Sequence, residues 1–327
     1  MKAARLYGAG DLRVGTEPAP EPGPGEQLVR VSAVGICGSD LHWFSEGAIG
    51  ATGLSKPLVL GHEMAGVLLS GPHAGAPVAI DPAVPCERCE RCREGNRHLC
   101  PEVVFAGHGA TDGGLREQMA WPDAQLVAVP EALTPAATAM LEPLGVALHA
   151  LDLGYRHFAE TVAIVGCGPI GLLLVALARA AGSSRVVAVE PLAHRREAAE
   201  HFGADEVLSP QEAMGRVEEV DVVYEVAGND AALAEAVHLV RPAGRLVVVG
   251  IPDDDTSTLP ASQARRKGLS VYVSRRMNEA YPRAITVARR GVLALDEFVS
   301  HTFPIDRAEE AFAVAVRREG LKVVVTM

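Results

Sequence analysis

Between Thr161 and Val189 the chain reads strand, glycine turn, helix, strand, and no other stretch constrains its fold as much. Val162–Val165 is an apolar run that enters Gly166-Cys167-Gly168-Pro169-Ile170-Gly171. Leu172–Ala181 continues as a helix and Arg185–Val189 as a second strand. A strand, a tight turn and a helix in that order bring the chain back to a parallel neighbour through a right-handed crossover. Asp221–Val226, Arg245–Val249 and Leu269–Val273 supply further strands, with helical stretches such as Ala231–Leu239 between them. The expected fold class is α/β, with a doubly wound parallel sheet in this part of the chain.

The residues before Thr161 follow a different grammar. Pro18, Pro20, Pro22, Gly23, Pro24 and Gly25 punctuate the opening, and Leu28–Val34 alternates as a strand does. Val59–Leu60 and Val67–Leu69 suggest strands around the Gly61–Glu63 turn, and Val78–Ile80 suggests another, so irregular all-β structure is expected here. In the tail, Phe298–Phe303 reads as a strand and Asp306 as an N-cap with Glu309 three residues on. A helix to about Arg318 and a strand at Val323–Val325 follow, and the residues alone leave open which part the tail packs on.

A chain of 327 residues exceeds one hydrophobic core and predicts two domains. With 30 basic and 41 acidic residues the net charge is −11, and aromatic residues are 4%. Such a surface binds phosphate backbones poorly and offers few stacking platforms, which argues against nucleic acid. No apolar run approaches the ~18 residues of a membrane span; Leu172–Ala178 ends at Arg179. Arg5 and Asp11 interrupt the N-terminus, so no signal-peptide core is read there, and a cytoplasmic location with reduced cysteines is expected.

Three constellations carry chemistry. Cys86-x2-Cys89-x2-Cys92-x7-Cys100 can close four thiolates around one structural Zn²⁺. An iron–sulfur cluster is the rival, with the wrong fourth spacing, and free thiols or a disulfide pair are the plain alternative. The Gly166–Gly171 turn, between strand and helix, suits a dinucleotide pyrophosphate at a helix N-terminus. Glu190 ends the next strand, where its carboxylate can bond ribose hydroxyls and repel a 2′-phosphate, which favours NAD; Arg195 and Arg196 could instead welcome that phosphate. Cys37, His62 and Glu63, with Glu142 farther on, would form an open zinc site, though each alone reads more simply as a buried thiol, a turn histidine or surface acids.

The segments Gly35-Ile36-Cys37-Gly38-Ser39-Asp40-Leu41-His42, Gly61-His62-Glu63, the four-cysteine lobe, Glu142-Pro143-Leu144 and Gly166–Gly171 stand in an order that resembles zinc-dependent medium-chain dehydrogenases. The likeness covers nearly the whole chain and is nearest to the sorbitol (polyol) and threonine dehydrogenase branch. It implies a GroES-like, β-rich catalytic domain of residues 1–150 with the tail 286–327 returning to it, and a Rossmann dinucleotide-binding domain of residues 151–285. It further implies that Cys37, His62 and Glu63 hold a catalytic Zn²⁺, with Glu142 an alternating ligand or one that binds through water. Ser39 and His42 match the proton relay of the family. Gly166, Gly168, Ile170, Gly171, Glu190, Arg195 and the Val249-Gly250-Ile251 turn match its cofactor contacts. Arg276 resembles an arginine that polyol dehydrogenases place near nicotinamide and substrate. Met277 stands where sorbitol dehydrogenases usually carry tyrosine, and Ser70–Ala76 is shorter than the family norm.

The resemblance implies an NAD-dependent zinc oxidoreductase that takes hydride from a secondary alcohol of a polyol, sugar or cyclitol, working as a homodimer or homotetramer. A threonine or diol dehydrogenase is the alternative within the class. A zinc-free binding or quinone-reductase-like protein is the alternative outside it, and the intact Cys37, His62 and Glu63 argue against that. In such a mechanism the metal acidifies the substrate hydroxyl, and Ser39 passes the proton through the nicotinamide ribose to His42.

Overall fold

The computed structural model describes every residue except 51, 156, 217–219 and 253–255. Its first unit comprises Met1–Pro143 and Tyr281–Met327 and is organised about the strand β1 (Glu26–Gly35). Val29, Val31, Ala33 and Val34 of β1 are all buried, because an irregularity between Val31 and Ala33 shifts the two-residue alternation. Gly35 ends the strand and leads through Ile36 and Cys37 into α1 (Gly38–Glu46), which Gly47 closes in the left-handed conformation. β2 (Glu63–Leu68) pairs antiparallel with β1, so that Glu63 lies opposite Gly35. Pro77–Ile80 and Leu126–Ala128 extend the sheet beyond β2, and Gln118–Pro122 also pairs with β1.

The second unit, Leu144–Ala280, holds the parallel sheet. Its strands are β3 (Thr161–Val165), β4 (Arg185–Val189), β5 (Glu206–Leu208), β6 (Val220–Glu225), β7 (Val240–Val248) and β8 (Ser270–Val273). They lie in the order β5-β4-β3-β6-β7-β8, all parallel. The direction of winding reverses between β3 and β6, and the helix α2 (Pro169–Ala180) leaves β3 at that switch point. Val162–Val165 and Val186–Val189 are buried on both faces, as a sheet covered by helices requires.

The tail returns to the first unit. β9 (Val299–Pro304) and α3 (Ala308–Val316) lead into β10 (Lys322–Thr326), which pairs antiparallel with β1 through Val324 and Gly35. Phe303, Ile305, Ala308, Phe312 and Val325 join the same hydrophobic core as Val29, Met64 and Ile80.

Several expectations are corrected. The first 150 residues are not purely β: α1, Pro135–Ala139 and Leu141–Leu153 are helical. The units part at Pro143/Leu144 and at Ala280/Tyr281 rather than near residues 150 and 285. The helix Leu141–Leu153 explains the first difference, since Tyr224 Oη of β6 donates to Leu151 O at 3.3 Å and ties most of that helix to the second unit. Asp306 does not cap a helix. It sits in a 3₁₀ turn, Ile305–Arg307, and its carboxylate takes the Lys2 ammonium at 2.6 Å.

Candidate metal and dinucleotide sites

The four-cysteine lobe is bounded by a two-residue ladder, Ala83–Val84 against Val104–Phe105. Cys89 caps the short helix Glu90–Arg93, accepting the Cys92 N–H on its sulfur at 3.4 Å. The Cys86 sulfur accepts the Cys89 N–H and the Cys100 sulfur accepts the Cys86 N–H, both at 3.4 Å. All four sulfurs lie within 4.8 Å of one another, with Cys89 Sγ 3.4 Å from Cys92 Sγ and 4.0 Å from Cys100 Sγ. A tetrahedral Zn²⁺ with Zn–S near 2.3 Å sets its thiolates about 3.8 Å apart, so the ring fits a single ion. A multi-iron cluster, with each thiolate on a different iron, needs a wider ring, and no cysteine is in a disulfide. The N–H groups of Arg88 and Cys89 pull the Cys86 thiol down to about 7, whereas burial pushes Cys92 up to about 12. Without a cation the four cannot all ionise near neutral pH. The rest of the lobe is polar, with Arg97–Glu87 at 3.0 Å and Arg91–Glu94 at 2.9 Å on its surface.

The second set lies in the same unit. Cys37 stands at the N-cap of α1, His62 follows the left-handed Gly61, and Glu63 opens β2. One ligand atom from each of the three falls within 4.8 Å of the others. Asp40, fully buried, organises them. Its Oδ2 accepts the Cys37 N–H at 3.0 Å, and its Oδ1 accepts the Gly61 N–H at 3.1 Å and lies 3.4 Å from His62 Nδ1. Burial pushes the Asp40 carboxyl up, but His62 and those two N–H groups outweigh it and hold it below its ordinary value. Burial likewise disfavours a charged His62, yet Asp40 and then Cys37 hold the imidazole well above its usual range. A ring in that setting favours positive charge at its other nitrogen, which a metal ion supplies. Carboxylate–histidine–metal arrangements are built this way.

Glu142, Lys322, Ser39 and His42 lie around this set. The carboxylate of Glu142 is buried but is not among the atoms that meet within 4.8 Å. Burial pushes its carboxyl up to about 7; His62 and Lys322 oppose that, and Glu63 and Asp81 add to it. Lys322, to which sequence assigned no role, pairs its ammonium with Glu63 Oε2. Ser39 and His42, a turn apart on α1, diverge: Ser39 Oγ is 3.5 Å from His62 Nε2, while His42 Nδ1 is 3.2 Å from Glu46 Oε1.

In the second unit the glycine turn is shaped for close approach. Gly166 has φ +97°, and a Cβ there would stand 2.8 Å from Ala227 N. A Cβ on Gly171 would collide with Gly166 O, whereas one on Gly168 would meet only Arg195 Nη1, at 3.9 Å. Gly168 is the N-cap of α2, with Pro169 at its first position and Ile170 next, so the open side of the turn faces free helix N–H groups. Glu190 is buried and doubly engaged: Oε2 accepts the Cys167 N–H at 2.7 Å and Oε1 the Leu192 N–H at 3.0 Å. Arg196 Nη1 donates to the carbonyls of Glu190 and Pro191 at 2.8 and 2.7 Å. Glu225, which sequence passed over, accepts the Ala227 and Gly228 N–H groups at 2.8 and 2.7 Å. Gly228 in turn abuts Gly250, and Ile251 is exposed. Arg276 has φ +55°, a left-handed conformation that costs a non-glycine residue energy.

The engagement of Glu190 sets an expected result. Glu190→Ser removes the anchor of the Cys167 N–H and, on the expectation that Glu190 also accepts the ribose hydroxyls, that acceptor as well, so NAD affinity should fall roughly 10- to 100-fold, the weight of one or two charge-assisted hydrogen bonds. The preference over NADP should narrow as the charge goes. Titration of both dinucleotides by fluorescence checks this, and a wild type that prefers NADP contradicts it.

Residues 23–131 match the alcohol dehydrogenase GroES-like domain family, and residues 169–290 match the zinc-binding dehydrogenase family. The sorbitol dehydrogenase of Bacillus subtilis (strain 168) is 34% identical over 343 positions, covering 99% of this chain and 97% of that protein. The human sorbitol dehydrogenase is 35% identical over 334 positions, covering 97% of this chain and 93% of its own length. Among solved structures, L-idonate 5-dehydrogenase from Escherichia coli superposes with a TM-score of 0.94 at 28% identity, covering 100% of this chain and 98% of that one. Together with two cysteine-containing ligand sets and a glycine turn at the switch of a parallel sheet, these matches place the chain among the zinc-binding dehydrogenases with a GroES-like alcohol dehydrogenase domain.

Proposed function

We propose that the protein oxidises a secondary alcohol of a neutral polyol, sugar or cyclitol with NAD. The first unit would serve as catalytic domain and the second as dinucleotide domain. The observation that carries this reading is the meeting of Cys37, His62 and Glu63 within 4.8 Å, locked by Asp40. These residues fit a Zn²⁺ with one position free, and such an ion, when bound, polarises an alcohol oxygen. Cys86, Cys89, Cys92 and Cys100 would hold a second Zn²⁺ with no position free.

The chain's own groups do the rest. Ser39, whose Oγ lies against the imidazole edge, would accept the hydroxyl proton, and His42, one turn along and beside Glu46, would pass it on toward solvent. Ile170, Arg195, Gly250, Ile251 and Arg276 are assigned to the cofactor and substrate, with the glycines and Glu190. Glu63 and Glu142 make the surroundings carboxylate-rich, which favours neutral substrates over acids such as an aldonate. The acidic net charge argues against nucleic acid, and the described residues contain no helix long and apolar enough to cross a membrane. Four thiolates suit a reducing, cytoplasmic setting, and an assembly of two or four copies accords with the family.

A panel of polyols, cyclitols, diols, threonine and ethanol, followed by NADH absorbance, tests the reading. Neutral vicinal polyols should exceed ethanol and threonine in kcat/KM by at least about tenfold, because a second hydroxyl adds a hydrogen bond to the bound substrate. A higher value for threonine or ethanol than for every polyol overturns it.

A further inference from the structure

Lys322 is an unusual residue to find in a sheet interior: its side chain is 2% exposed, and that of its partner Glu63 is 1%. Burying an ammonium and a carboxylate costs free energy that only close pairing recovers, so the contact needs a built geometry. Three adjacent strands supply one. Gly35 of β1 lies opposite Glu63 of β2 on one side and Val324 of β10 on the other. Beyond that register the Ile36 N–H donates to Val323 O at 3.0 Å, which brings Lys322 alongside the Ile36–Cys37 segment. A Cβ at position 35 would collide with Glu63 Oε2 and stand 2.9 Å from Lys322 Cε. The bare backbone of Gly35 is what lets the lysine reach across β1 to the carboxylate.

Glu63 is thereby shared between an ammonium and the ligand set of Cys37 and His62. We propose that Lys322 is a positioning residue of this site: by holding one oxygen of Glu63, it leaves a single oxygen for the metal and keeps a coordination position open for substrate. The proposal rests on the reading of Cys37, His62 and Glu63 as metal ligands. Charge arithmetic points the same way. A divalent ion with one thiolate and one carboxylate is neutral as a group, and the adjacent ammonium offsets the buried Asp40 carboxylate behind His62, so the centre is not left net negative and stays electrophilic. The same ammonium repels the ion, so the arrangement gives up some metal affinity for an open site.

Lys322→Met removes the charge at similar length. Glu63 is then free to offer both oxygens and the repulsion is gone. Zinc release from this site to a chelator should slow by about tenfold, an effect of the size that groups around metal ligands have but of opposite sign, because the group removed repels the ion and holds back a ligand oxygen. The visible bands of the cobalt(II)-loaded protein should weaken as coordination rises above four, and kcat should fall about tenfold with NAD affinity unchanged. A lysine with a merely structural role predicts the opposite, a looser site and faster release; that result, or a rate and spectrum equal to wild type, overturns the proposal. Lys322→Arg keeps the cation and should retain wild-type release and spectrum; an arginine variant that behaves as the methionine variant does also overturns it. Should wild type carry one zinc per chain, held only by the cysteine lobe, the metal reading itself fails, and the role of Lys322 falls with it.

Discussion

Cys37→Ser should abolish alcohol oxidation while leaving a folded protein that still binds NAD. A serine hydroxyl replaces a thiolate in a three-residue ligand set, and it is a far weaker zinc donor. The fold has little reason to respond. Asp40 accepts the main-chain N–H of residue 37, which serine keeps, and Cys37 is only partly buried at the start of α1. The surrounding unit has its own core, with Trp43, Leu58, Met64 and Phe312 fully buried. The dinucleotide turn Gly166–Gly171 and Glu190 belong to the other unit. Losing the several kcal/mol of charge stabilisation that a metal supplies corresponds to a fall in kcat/KM of roughly 10³-fold or more. Metal content should drop from two zinc ions per chain to one, and the dinucleotide titration should match wild type. Near-normal turnover with the zinc gone would defeat the catalytic role assigned to Cys37, His62 and Glu63.

What sequence makes legible in this protein is what local spacing encodes. The alternation of Leu28–Val34 marks β1, and the run from Val162 through Gly171 marks a strand, its turn and its helix, because each depends on neighbours a few residues away. The cysteine lobe is legible for the same reason: its four ligands lie on one short loop. The helix α1 is not legible locally, because Gly38-Ser39-Asp40 offers weak helix formers and its apolar residues, Leu41, Trp43 and Phe44, show no sustained periodicity. Asp40 was visible as a residue but not as an organiser, since its bonds to Gly61 and His62 arise only when β2 is brought beside α1. Lys322 is the extreme case. Its partner lies in the N-terminal part of the chain, and nothing near Leu321-Lys322-Val323 hints at a buried ion pair. Asp306 failed in the opposite direction: a good local capping pattern lost to a 3₁₀ turn and an ion pair with Lys2.

Cys89→Ser should have the larger effect on stability and the smaller one on chemistry. Residue 89 caps the helix Glu90–Arg93 through a side-chain acceptor for the Cys92 N–H, and a serine oxygen can fill that role. The substitution therefore spares the local hydrogen bond and removes mainly the sulfur that stands 3.4 Å from Cys92 Sγ and 4.0 Å from Cys100 Sγ. Three ligands then remain, and the lobe has little else to hold it: Leu99 is exposed, and the surface pairs Arg97–Glu87 and Arg91–Glu94 contribute at most about 1 kcal/mol each. Structural zinc supplies on the order of 10 kcal/mol of apparent folding free energy in small motifs, so losing even part of it should unfold the lobe locally. Limited proteolysis should cut between residues 86 and 100, at the arginines Arg88, Arg91, Arg93 or Arg97 with trypsin, where wild type resists. The melting temperature should fall by several degrees or more, and one zinc per chain should be lost. Residual activity should exceed that of Cys37→Ser by at least about tenfold, because Asp40 holds Cys37 and His62 through bonds outside the lobe, and His62 meets the lobe's edge only as a ring contact with Phe105. A variant with wild-type protease resistance and melting temperature, its zinc gone, would mean that the four thiolates hold the metal without the metal holding the fold.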